Sequence, residues 1–439
     1  MPGRGTSQTR QESRVRNTNI LISGASVAGP ALAYWLHRYG FDPTVVERAP
    51  ALRPGGYKVD LRGVAVDVAD RMGIGARVRD RATDIRGGTW LTGRGKTVAT
   101  LGPDVIGFRD PGDLEILRGD LADILHGATA GRTEYLFGDE ITALTQHASG
   151  ADVTFRHAPS RTFDLVVGAD GLHSGVRSLA FGPEEQFAHP LGLNVAVFSV
   201  PNRFDLDRWE LACSTTGHIV NLYALSRSGD ATAQFFFSAN DSQPSRRESD
   251  ARSALAEAFA GHGWEVPGLL AALPDAPDFY FDSLAQIRMP SWSNDRTVLL
   301  GDAAYCPSPA SGQGTGLALV GAYVLAGELA AAHGDHRVAF PRFEEEMRAF
   351  VDLNQRLGRD VVKQMVPATR VRAALQLAMM RMMPYMPGKA RVIEKIMRPV
   401  REAANAITLT TYSVPPPTET TPSAETTPSA ETTWSPDAA

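Results

Sequence analysis

The stretch "NILISGASVAGPALAYWLHRYGFDPTVVER", Asn19 to Arg48, constrains this chain more than any other. An Ile/Leu run stops at Gly24, a helical spacing of apolar residues then runs to Gly40, and a second apolar run ends on Glu47. Strand, tight turn, helix and strand in about thirty residues make a βαβ unit, which implies a parallel sheet. The expected fold class is therefore α/β, with a Rossmann-like domain at its centre. Gly24 permits the tight turn, and Gly29 lets the helix pack closely on the strand. The helix start then offers backbone N–H groups and its positive dipole end to a pyrophosphate. Ser26 stands where the commoner motif has its middle glycine, which narrows the approach of phosphate to the backbone. Glu47 follows Gly24 by 23 residues. A carboxylate at that strand end accepts ribose hydroxyls and repels a 2′-phosphate, so the expected dinucleotide is FAD or NAD rather than NADP.

No second strand–glycine turn–helix unit of this type follows. Two other stretches carry an aspartate just past a buried strand: "DLVVGADGLHSGVRS" (Asp164 to Ser178) and "RTVLLGDAAYCPSPASGQGTGLA" (Arg296 to Ala318). Ligands of open α/β sheets collect at such strand ends. Asp302 can hydrogen-bond a second polyol such as a ribityl chain. The helix beginning near Gly312, Gln313 and Gly314 can aim its positive end at a ring that becomes anionic on reduction.

With 43% apolar and 21% charged residues among 439, the chain can bury a sizeable core. A net charge of −5 argues against nucleic acid as a partner. The two cysteines, Cys213 and Cys306, form no short-spaced pair, which argues against a disulfide framework or zinc site and fits a reducing cytoplasm. Leu317 to Ala332 is too short to span a bilayer and contains Glu328, so it reads as a core helix. The expected organisation is a disordered arm (1–17), the first part of the nucleotide domain (18–185), a strand-rich substrate domain (186–286), the second part of the nucleotide domain (287–365), C-terminal helices (366–412) and a Thr/Pro/Ser/Glu-rich disordered tail (413–439).

"GASVAGP…VVER", "ILRGDL", "DLVVGADGLHSGVR" and "LLGDAAYCPSPASGQG" together resemble the fingerprints of the single-component, group A flavoprotein monooxygenases, the FAD-dependent aromatic hydroxylases. "AGPALAYWLHRYGF", "GGYKVDLRGVA" and "GFRDPGDLEILRGDL" are most similar to the soil-type tetracycline destructases of that group. The resemblance implies that FAD pyrophosphate lies along Gly24, Ser26, Ala28 and Gly29, with the adenosine ribose at Glu47 and Arg48. It implies that Arg118 reaches the flavin, that Asp302 contacts the ribityl or pyrophosphate, and that Gly56 runs near a mobile isoalloxazine. Asp170 and Gly171 match a segment tied to FAD and NAD(P)H use. Pro307, Gly312, Gln313 and Gly314 are expected along the flavin face. In this family NAD(P)H reduces the flavin, dioxygen adds to give a flavin hydroperoxide, and that species oxygenates an electron-rich ring or enolate carbon. No catalytic acid or base is expected from the chain, because the cofactor carries the hard chemistry. A polycyclic phenolic or enolic substrate of the tetracycline kind is expected, with antibiotic inactivation as the corresponding role. The alternatives are a biosynthetic hydroxylase or Baeyer–Villiger oxygenase of an aromatic polyketide, a non-oxygenating flavin reductase, and a plain NAD-binding protein. A monomer is expected.

The remaining residues have plainer readings. His173 reads as a surface turn histidine, His333 and His336 as loop residues rather than metal ligands, and Cys306 as a small buried thiol. Seven of the eleven methionines lie between Met365 and Met397. That segment reads as inter-domain packing, as the wall of a substrate cavity, or as a membrane-surface helix. Phe235, Phe236, Phe237 and Met380 are the candidate substrate contacts.

Overall fold

A computed structural model describes residues 15–53, 55–102, 109–226, 229–239 and 248–413. Most of the expected arm and tail lie outside these residues. The arm's end is anchored, because Asn17 Nδ2 donates to Gly334 O at 2.7 Å.

The first apolar runs form Asn19–Ser23 and Asp42–Glu47, flanking the helix Ala28–Arg38. They sit centrally in a six-stranded sheet ordered Ser293–Asn294, Thr297–Leu299, Leu165–Gly168, Asn19–Ser23, Asp42–Glu47 and Glu134–Phe137. All neighbours pair in parallel except the first two. Ser23 is in register with Gly168, and Gly168 with Leu299. The carboxyl ends of three strands therefore stop side by side, which is where α/β sheets bind ligands. The central strands are continuous Ile, Leu and Val because helices cover both faces of a parallel sheet. The helix Gly314–Ala331 is apolar all round, and 78% of it is buried. That marks a core helix.

Ile141–His147, Gly150–Phe155 and Arg161–Phe163 form a separate antiparallel three-stranded sheet. Glu134–Phe137 instead adds to the edge of the parallel sheet.

The segment expected as a substrate domain builds most of a seven-stranded sheet ordered Tyr280–Ile287, Ala188–Pro201, Asp230–Ser238, His218–Ala224, Trp209–Thr215, Gly88–Leu91 and Thr97–Leu101. Its last two strands correct the expected division at residue 185. Gly88–Leu91 pairs in parallel with Trp209–Thr215, so the first nucleotide-domain segment lends a hairpin to the other sheet. One face carries Glu248–Ala258 and Val266–Ala272 over a core of Phe198, Phe235, Phe237 and Phe259. The other face turns toward the nucleotide domain. The 30-residue helix His336–Met365 packs along Gly314–Ala331, and Arg370–Met382 and Lys389–Ala404 follow it.

Candidate functional site: a cleft at the carboxyl ends of the parallel strands

The turn after Asn19–Ser23 is as tight as its glycines suggest. Gly24 holds φ at +107°, and a Cβ there would lie 2.4 Å from Ala169 O. A Cβ on Gly29 would lie 1.9 Å from Gly24 O, so only glycine lets the helix start this close to the strand. Glu47 closes the turn from the adjacent strand. Its Oε2 accepts the Ala25 N–H and its Oε1 the Ala49 N–H, each at 2.9 Å. Arg48, next along the chain, is exposed. Ser26 is half-buried on the turn and Ala28 opens the helix.

Gly301 and Asp302 approach from the far side. A Cβ on Gly301 would stand 3.4 Å from the Ala28 Cβ, so this turn lies directly against the first helix start. The Asp302 carboxylate lies about one atom's contact from Gly314, where a Cβ would be 3.5 Å from Asp302 Oδ1. The Asp302 carboxyl is held above the usual carboxylate range, chiefly by burial, although the Cys306 thiol and Arg118 pull it back. The Asp302 carboxyl and the start of the Gly314–Ala331 helix thus lie side by side.

Arg118 begins the helix Arg118–Thr129, and its guanidinium sits 5.9 Å from the Tyr57 ring centroid. Burial opposes its charge, while Tyr57, Tyr280, Asp302 and Glu47 together favour it. Gly56 holds φ at +88° beside it, and a Cβ there would be 3.9 Å from the Arg118 Cβ. Gly119 meets Gly55 so closely that a Cβ would fall 2.6 Å from the Gly55 nitrogen and oxygen. The "GGY" loop and the "LRGD" helix start are therefore locked together.

The loop from Pro307 to Gly314 closes the cleft. Pro307 O accepts from the Gln286 amide at 3.0 Å, and Ser308 adopts φ +81°, a strained value for a residue with a Cβ. Gly312 is left-handed, with φ +64°, and Gln313 caps the Gly314–Ala331 helix. Gln313 Nε2 and Ser308 Oγ are buried and find no hydrogen-bond partner among the described residues. Buried polar groups are seldom left so, and a bound polar group would satisfy both.

Asp170 is held within its own turn. Its carboxylate accepts from Ser174 Oγ and the Val176 N–H and approaches Ser23 Oγ at 3.4 Å. It therefore fixes the "ADG" turn to the first strand rather than presenting a free carboxylate, and Gly171 follows at φ +83°. His173 is no simple surface histidine. Its ring lies between Glu184 at 3.0 Å and Asp282 at 3.3 Å, linking this turn to the seven-stranded sheet. Hydrogen bonds to Asp282 and then Glu184 push its pKa up to about 9. Asp282 also accepts from the Tyr280 hydroxyl at 3.2 Å. Cys306 is a buried thiol, as expected, with its pKa raised by burial. His336 is buried, and no cluster of metal-binding side chains occurs among the described residues.

The four candidate substrate contacts separate. Phe235 and Phe237 point into the core beneath the seven-stranded sheet, where both meet Phe259. Phe236 points the other way, into a cluster with Val195, Val197 and Leu284, bordered by Tyr57, Tyr280 and Ala310 of the closing loop. Met380 packs elsewhere, against Ala99 and Leu101 with Met383. Tyr57 and Tyr280, 5.4 Å apart, were not singled out from the sequence, because nothing local distinguishes them from other tyrosines.

A Rossmann-like sheet with a glycine turn, an acidic strand end and a second aspartate–helix pair facing it defines a dinucleotide flavoprotein. The family model for an FAD binding domain matches residues 17–340. The chain belongs to this family of FAD-dependent monooxygenases. A flavin-dependent monooxygenase of Legionella longbeachae is 39% identical over 78% of this chain and 88% of its own length. Protein Rv1260 of Mycobacterium tuberculosis, which has no stated activity, is 45% identical over 78% of this chain and 92% of its own length. The crystal structure of tetracycline destructase Tet(55) superposes with a TM-score of 0.78 at 38% identity, covering 90% of this chain and 99% of that one. Tet(51) gives 0.77 at 35% identity, covering 90% and 98%.

Proposed function

We propose that this enzyme uses NAD(P)H and dioxygen to insert one oxygen atom into a polycyclic phenolic or enolic compound of the tetracycline kind. The observation that carries this reading is the aromatic face of Tyr57, Tyr280 and Phe236, which borders the closing loop at Ala310. A flat, multi-ring substrate stacks on such a face, whereas a small aliphatic one would leave it wet. The likeness to Tet(55) and Tet(51) supports the same substrate class.

The residues fit FAD: the Gly24–Gly29 turn leaves room only for backbone, and Gln313 Nε2 and Ser308 Oγ stand ready for polar partners. Gly24, Ser26, Ala28 and Gly29 would cradle the pyrophosphate, Glu47 the ribose, and Asp302 the ribityl chain. Arg118, Pro307 and Gly312 to Gly314 would frame the isoalloxazine. FAD supplies the electron transfer and oxygen activation that side chains lack. The chain's own work is orientation, water exclusion and charge. Arg118 brings a half-buried positive charge, and the Gly314–Ala331 helix its positive end. Burial pushes the Tyr57 phenol above its ordinary value, so it stays protonated at neutral pH and can donate to a substrate oxygen.

The test is to incubate the purified holoenzyme with tetracycline, NADPH and air beside an anthraquinone comparator. A product heavier by one oxygen atom from tetracycline is expected. Turnover of the anthraquinone alone would replace the substrate class with an aromatic polyketide. NADPH oxidation that leaves both compounds unchanged would overturn the reading.

A further inference from the structure

The helix Arg370–Met382 has two apolar faces. One faces inward, where Met380 and Met383 pack on Ala99 and Leu101 at the edge of the seven-stranded sheet. The other faces outward: Val371 is 77% exposed, Leu375 68% and Met382 62%, and Tyr385 just beyond is 86% exposed. At ~100° per residue, Val371, Leu375, Ala378 and Met382 fall within an arc of about 60°. Arg370 and Arg381 stand roughly 90–110° to one side of that stripe and Arg372 about 90° to the other.

The charges around the stripe are uncompensated. From Val366 to Ala404 there are eight Arg and Lys residues against two Glu, in a chain whose net charge is −5. Arg398 and Arg401 are paired with Glu402, Glu394 and Asp110. Arg370, Arg372, Arg381, Lys389, Arg391 and Lys395 are all exposed and form no ion pair among the described residues.

We propose that this helix docks in the plane of an anionic lipid surface, with the outward stripe among the acyl chains and its arginines at the headgroup phosphates. A stripe one helix wide with cations on both margins matches that boundary, because arginine stems can lie along apolar surface while their heads reach phosphate. Tyr385, apolar in body and polar at its tip, suits the same level. A second copy of the chain is a poor occupant, since a symmetric contact through the stripe would set arginines against arginines. At 13 residues the helix is too short to cross a bilayer. The proposal stands independently of the substrate assignment.

Co-sedimentation of the full-length holoenzyme with vesicles tests it. Phosphatidylcholine alone is compared with phosphatidylcholine carrying roughly one-third phosphatidylglycerol, in about 0.1 M salt. The wild-type protein is expected on the anionic vesicles and not on the neutral ones. Each arginine contributes about fivefold to partitioning, so Arg370→Gln, Arg372→Gln and Arg381→Gln together should weaken it on the order of a hundredfold. Leu375→Ser with Met382→Ser should also release it. Both variants keep Met380 and Met383, and an unchanged flavin spectrum confirms that they fold. Absence of vesicle binding, equal binding to both compositions, or retention by either variant overturns the proposal. A concentration-dependent dimer dissolved by the stripe variant, without lipid binding, assigns the face to a copy–copy interface instead.

Discussion

Gly29 shows how much a single residue decides here. Its missing Cβ is what allows the helix start to stand against Gly24 O, so alanine at this position must push the helix off the strand. Gly29→Ala is expected to lower stability by about 1–3 kcal/mol and to release FAD, measured by denaturant melts and by flavin absorbance after gel filtration. His173 makes the second residue-scale prediction. Its pKa is raised by Asp282 and Glu184, so the stabilisation is complete below about 6.5 and is lost as pH rises through about 9. Between those values the thermal midpoint of the wild-type protein should fall relative to His173→Gln, and parallel curves would show that the pair contributes nothing. Glu47 was legible from spacing alone, because the βαβ unit fixes where its strand ends. The role of His173 was not, because its partners lie 11 and 109 residues away in sequence. Asp170 illustrates the converse. Its position past a strand was legible, but its tie to Ser174 and Val176 depends on a turn whose geometry the letters do not display.

Among the elements, Asp230–Ser238 is the clearest case. Alternation in a strand guarantees that Phe236 opposes Phe235 and Phe237, yet it does not say which face meets the cofactor domain. That choice is made by Glu248–Ala258 and Val266–Ala272, which cover the Phe235 side. Phe235→Ala should therefore cost about 3–5 kcal/mol of stability and leave KM for the proposed polycyclic substrate unchanged. Phe236→Ala should raise KM several-fold with a smaller loss of stability. The reverse pattern, from denaturation and steady-state kinetics, would move the substrate to the other face. The same limit explains the hairpin Gly88–Leu101: nothing local to it reveals the parallel pairing with Trp209–Thr215 that puts it in the seven-stranded sheet. The Met-rich helix resolved into a buried Met380 face and an outward stripe, a division invisible in composition alone.

For the whole molecule, the parallel register brings Gly24, Asp170 and the Gly301–Asp302 turn to one end of the sheet, although they are scattered over nearly 280 residues of chain. The motif order in the sequence already implied this convergence, since each motif follows a buried strand. The shape of the proposed substrate wall was not implied, because it is built from the "GGY" loop, Tyr280–Ile287 and Asp230–Ser238. Asp302→Ala should weaken FAD binding at least tenfold while leaving the fold intact, as read by flavin fluorescence titration and circular dichroism. The most direct test of the central claim is the fate of dioxygen. In an atmosphere of ¹⁸O₂, with NADPH and a tetracycline-type substrate, the cleft described here predicts a product carrying one labelled oxygen atom. A product whose added oxygen comes from water, or a reduced substrate containing no new oxygen, would contradict it.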